Sequence, residues 1–86
     1  MLRIAPHIAW NNVEGELALF DSRDGTYHAL NGSAAAIWRA IAAGHDEPGI
    51  VDALAARFDA PRAAMVENVA EFVAAARAKG LLEDPA

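Results

Sequence analysis

The chain contains no cysteine in its 86 residues, which excludes a disulfide framework and any thiolate metal site. Aromatic residues make up only 7%, although 55% of the chain is hydrophobic. Much of that apolar content is alanine, which favours helices and fills little core volume. Cations are also scarce: 7 Lys and Arg stand against 12 Asp and Glu, a formal net charge of −5. A nucleic-acid partner needs clustered Lys and Arg to neutralise phosphates, so none is expected. No apolar run approaches the roughly 20 residues of a membrane span. The segment Met1–Pro6 lacks a basic stretch followed by an apolar one, so it does not read as a secretory signal. These absences predict a cytoplasmic protein with no membrane partner, folded as one domain over residues 1–86.

Catalytic and metal chemistry is equally thin. His7, His28 and His45 share no ligand-type spacing, and no carboxylate cluster completes a set with them. Asp21-Ser22-Arg23-Asp24-Gly25 has the look of a calcium loop, but Gly32 stands where the bidentate Glu would fall. Ser22 and Ser33 are the only serines, and neither occupies a nucleophile elbow. Gly25 and Gly32 belong to no phosphate-binding loop, because no G-x-x-x-x-G-K is present. The pairs Glu14/Glu16 and Asp46/Glu47 fall in predicted loops or caps. No catalytic residue, metal or cofactor is expected, and the chain does not read as an enzyme.

What is present divides near Leu30. Before it the pattern suits strands. Ile8 and Trp10 alternate in the first, with turn chemistry expected at Asn11-Asn12 and Gly15. In Glu16–Phe20, Leu17 and Leu19 point one way and Ala18 and Phe20 the other, which predicts cover on both faces. Asp24-Gly25 is a hairpin signal, and Thr26–Leu30 follows as a third strand. After Leu30 the periodicity is helical. Ala34, Ile37, Trp38 and Ile41 share one helix face, capped by Asn31 or Ser33 and ended by Gly44. Trp38 reads as core, its indole N–H reaching a partner or water. Asp46 caps a second helix, with Pro48 in its first turn. A third helix begins at Asp59 or Ala60, buries Met65, Val69, Phe72, Val73 and Ala76, and stops at Gly80. The predicted fold is α+β and winged-helix-like: a three-stranded antiparallel meander followed by three helices.

A DNA-reading role for the third helix is poorly supplied, since only Arg62 and Asn68 among its exposed residues suit it. The run Asp24-Gly25-Thr26-Tyr27-His28-Ala29-Leu30-Asn31-Gly32-Ser33-Ala34-Ala35-Ala36-Ile37-Trp38 resembles the core motif of the PqqD-like proteins. Ala53-Leu54-Ala55 with Phe58-Asp59, and Val69 to Leu82, are similar to that family's second and third helices. The resemblance implies a RiPP recognition element, a non-catalytic domain that binds the leader segment of a ribosomally made precursor peptide. It implies partners too: that leader, and a modifying enzyme such as a leader peptidase, cyclase or radical enzyme. In the family the leader adds as a strand beside the third strand, in the groove next to the third helix. Gly80-Leu81-Leu82 and Trp38 depart from the dedicated pyrroloquinoline-quinone proteins, which ranks a lasso-peptide or other RiPP pathway above a quinone-pathway peptide chaperone.

The residues support that mechanism on their own terms. The third strand of a meander is an edge, and Thr26, Tyr27, His28, Ala29 and Leu30 include no Pro, Lys or Glu to blunt it. A peptide can pair there by β-augmentation. Val66, Val69 and Val73 are expected to wall the groove, with Arg77 near its end to meet a leader carboxylate.

Overall fold

The computed structural model describes residues 2–84. Strand β1 (Arg3–Ile4) opens the chain, followed by β2 (Ile8–Val13), β3 (Glu16–Asp21) and β4 (Thr26–Leu30). Helices α1 (Gly32–Ala42), α2 (Glu47–Ala55) and α3 (Arg62–Ala78) come next, and β5 (Leu82–Glu83) closes the order. The predicted meander is β2-β3-β4, antiparallel throughout, and the three helices follow it as expected. The sequence-predicted third strand is therefore β4.

Two small elements lie outside the meander: β1, which the sequence pattern does not show, and β5, where Leu81-Leu82 is expected to fold back or add a short extended segment. β1 pairs with β5 as a separate two-stranded ribbon, Arg3 opposite Glu83 and Ile4 opposite Leu82. Two-residue strands carry no periodicity to read, so only their long-range pairing defines them. The first turn falls at Gly15 as expected but does not include Asn11-Asn12. Asn11 and Asn12 remain in β2, and the chain reverses at Glu14-Gly15, both at positive φ. Asn12 is held in the strand by Arg39 of α1, whose Nε and Nη2 donate to its Oδ1 at 3.0 and 2.7 Å.

Leu17 and Leu19 of β3 are fully buried, against α1, whose Ile37, Trp38 and Ile41 face inward. Trp38 has no exposed surface, and its indole N–H has no hydrogen-bond partner among the described residues. The other face of β3 is not covered. Ala18 and Phe20 are half-buried there, beside exposed Tyr27. The residues lining that side, Ala9, Trp10, Asn11, Ala18, Phe20 and Tyr27, all come from strands, because α1 packs on the opposite face, which carries Leu17 and Leu19.

The helix boundaries follow local chemistry. Asp46 caps α2 by accepting from Gly49 N–H at 3.0 Å. Asn31 occupies the α1 N-cap position without a side-chain cap bond. Pro61 is the N-cap of α3, so the helix starts at Arg62, slightly later than the expected start at Asp59 or Ala60. Met65, Val69, Val73 and Ala76 form the buried stripe of α3, and α2 packs beside it as a helix-turn-helix pair. None of the described helices is long and apolar enough to cross a membrane.

Candidate functional site

β4 pairs with β3 along one side, and among the described residues no strand meets its other edge. In an antiparallel strand, backbone N–H and C=O groups point alternately to the two sides. About half of the main-chain groups of Thr26–Leu30 therefore face outward. Helix α3 runs next to this edge and leaves a groove of about 310 Å³. His28, Ala29 and Leu30 form the strand wall. Phe72, Ala75, Ala76 and Lys79 form the helix wall, with Ala34 and Leu81 between. The alanines keep the groove open; Leu30 and Phe72, both half-buried, supply its apolar surface.

The strand residues anticipated from sequence lie together here, in different attitudes. His28 and Leu30 share the helix-facing side with Leu19 and Leu17, their β3 partners. Tyr27 is 75% exposed on the opposite face, its ring 4.9 Å from that of Phe20. Thr26 is tied to the hairpin. Its N–H and hydroxyl both donate to Asp24 Oδ1, at 3.1 and 2.7 Å, and these bonds lower the Asp24 pKa.

The helix residues anticipated from sequence stand elsewhere. Val69 and Val73 are buried in the core stripe. Val66 is half exposed, but it borders a different groove between α2 and α3, of about 370 Å³, with Pro48, Val51 and Ala70. Arg77 donates to Asp84 at 2.9 Å, beside Asp46 and Glu47. The helix face toward β4 is instead Phe72, Ala75, Ala76 and Lys79, spaced i, i+3, i+4, i+7. That spacing was available in the sequence, but two alanines and a lysine carry little apolar weight beside a run of valines.

A polar staple fixes how β4 lies against α3. Asp21, at the end of β3, is buried. The Arg23 side chain donates to both its oxygens, from Nε at 3.1 Å and Nη2 at 2.8 Å, and the Arg23 backbone N–H donates at 2.9 Å. The Arg23 side-chain bonds are the main reason that the Asp21 pKa falls to about 2, against the opposing pull of burial. Arg23 Nη2 also donates to Lys79 O at 3.1 Å, and His7 Nε2 meets Gly80 O at 2.8 Å. These two carbonyls terminate α3, where orphan acceptors need donors. Gly80 has φ +73°, and a Cβ there would lie 2.5 Å from Arg23 Nη2. Glycine is thus required both by conformation and by the closeness of the guanidinium. The staple pins the 22–25 hairpin to the C-terminal end of α3, so β4 starts near Lys79 and runs toward Phe72.

This is a winged-helix-like α+β domain whose sheet ends on an open strand beside a helix. The model of the family described as coenzyme PQQ synthesis protein D (PqqD) matches residues 16–82, and the chain belongs to that family. Among solved structures it is similar to TbiB1 in complex with the TbiA(beta) leader peptide, at 27% identity and a TM-score of 0.91, covering 98% of each chain. It is also similar to a lasso peptide synthetase B1 complexed with the leader peptide, at 24% identity and TM-score 0.87, covering 96% of this chain and 98% of that one. The heterocyclase TruD shares the fold at 22% identity and TM-score 0.69; the match covers 99% of this chain and 11% of that one. No curated protein matches the chain.

Proposed function

We propose that this protein is a non-catalytic recognition module that binds the leader segment of a ribosomally made precursor peptide. It takes the leader as an added strand on β4 and presents it to a modifying enzyme or leader peptidase in the cytoplasm. The open β4 edge beside the α3 groove carries this reading. Main-chain hydrogen bonds supply affinity that is tolerant of sequence, and the groove adds side-chain selectivity. The binding residues are Tyr27 to Leu30 on the strand, and Phe72, Ala75, Ala76 and Lys79 on the helix. The leader-bound state of TbiB1, similar over the full length, supports the same reading.

A lasso-peptide or other RiPP pathway is favoured over the quinone pathway by Trp38 and by the Gly80-Leu81-Leu82 ending. A DNA-binding winged helix is disfavoured by the pairing of Arg62, the basic residue at the start of α3, with Asp52 at 2.6 Å. Isotope-labelled protein titrated with leader segments of precursor peptides encoded near its gene tests the proposal. Amide shifts should concentrate at Tyr27–Leu30 and along residues 72–79. Shifts confined to α2 and Val66 would move the site to the other flank of α3, and no shift with any such leader would remove the function.

A further inference from the structure

We propose that the groove selects a peptide carrying an acidic side chain two residues away from an apolar one. This rests on the strand-addition reading and adds to it the class of sequence that is read. His28 and Leu30 are two residues apart and point to the same side of β4. A strand paired against β4 presents its own side chains at the same period, so two of its residues, also two apart, face α3. They meet different chemistry. At one end lie Leu30, Phe72 and Ala34, all apolar. At the other lie His28 and Lys79, the two ionisable side chains that line the groove, both of them basic.

The separation is large enough to be read. Phe72 and Lys79 are seven residues apart on α3, about 10 Å along its axis. The staple from Arg23 to Lys79 O sets the direction: Lys79 lies beside the start of β4 and Phe72 beside its end. Lys79 forms no ion pair among the described residues. The nearby carboxylates are engaged elsewhere and do not line the groove: Asp21 holds Arg23, and Asp24 is turned back onto Thr26. In a chain of net charge −5, a groove whose charged lining is wholly basic is complementary to a carboxylate.

Selection of short random peptides displayed on phage against the full chain tests this. Binders whose amide shifts map to β4 should be enriched in Asp or Glu two positions from Leu, Ile, Val or Phe. Lys79→Glu should weaken those binders by about tenfold and draw Lys or Arg to the same position in its own selection; Lys79→Gln should weaken them by about threefold. Unchanged melting temperatures will show that both variants fold. Binders that map to β4 without acidic enrichment, or that ignore Lys79→Glu, would overturn the selectivity and leave strand addition standing. Binders that map away from β4, or none at all, would overturn both.

Discussion

Helix α3 has two flanks, and they differ in a way that its own sequence does not announce. On the α2 side, Val66, Val69, Ala70, Val51 and Pro48 border the larger and more apolar groove. On the β4 side, Phe72 and Leu30 sit among alanines, with Lys79 and His28 near the hairpin end. Hydrophobicity alone points to the first flank. Main-chain chemistry points to the second, because α2 satisfies its backbone internally whereas β4 leaves donors and acceptors open at its edge. An extended peptide loses backbone entropy on binding, and an edge strand returns a ladder of hydrogen bonds that a helix pair cannot offer.

The largest perturbation erases the comparison, since both flanks depend on one core. Trp38 is fully buried against the sheet and helices. Trp38→Ala should cost roughly 3–5 kcal/mol in chemical denaturation, a large part of the stability of so small a domain. A near-neutral result would mean that the unpartnered indole N–H offsets most of the packing it accompanies.

Proline separates the flanks next. Neighbouring N–H groups of β4 face opposite sides, so of His28→Pro and Ala29→Pro one removes an outward donor and the other breaks a bond to β3. The variant that keeps its melting temperature should lose leader affinity by at least about tenfold. If the folded variant binds as tightly as the parent, strand addition on β4 is excluded. A side-chain contrast is smaller: Phe72→Ala should weaken binding by about 1–2 kcal/mol, and Val66→Ala should leave it within about twofold. Calorimetric titration of both would reverse the two flanks if Val66→Ala proved the more damaging.

Most of the architecture was legible because it follows from periodicity and punctuation. Alternation at Leu17 and Leu19, the Asp24-Gly25 turn, the Asp46 cap and Gly44 and Gly80 place three strands and three helices close to their observed bounds. The strand half of the candidate site was legible for the same reason, as the last strand of a meander must be an edge. The helix half was not. A periodic valine stripe identifies the buried face of α3, and Val69 and Val73 are indeed buried. Which neighbouring face turns to β4 depends on how α3 is rotated against the sheet. That rotation is tied to contacts far apart in sequence, such as Arg23 to Lys79 O and His7 to Gly80 O, which no local pattern encodes.

The same staple gives the smallest and most selective expected effect, an acid sensitivity confined to one flank. Asp21 has a pKa of about 2 in the folded chain against an ordinary 3.8, so between these values the unfolded chain binds more protons than the native one. The Asp21–Arg23 contribution is therefore complete above about pH 5, declines as pH falls through 3.8 toward 2, and is gone only by about pH 1. Protonating Asp21 releases the guanidinium that also holds Lys79 O, so the hairpin end of β4 should loosen from α3 first. Hydrogen exchange between pH 5 and pH 2.5, corrected for intrinsic rates, should show protection falling at residues 22–28 and 79–81 before it falls along Ile50–Leu54. Asp21→Asn should be less stable at pH 7 and should flatten the dependence of melting temperature on pH in that acid range. Equal acid loss on both flanks would mean that the staple does not hold the groove, and the rotation of α3 would then rest on the core stripe alone.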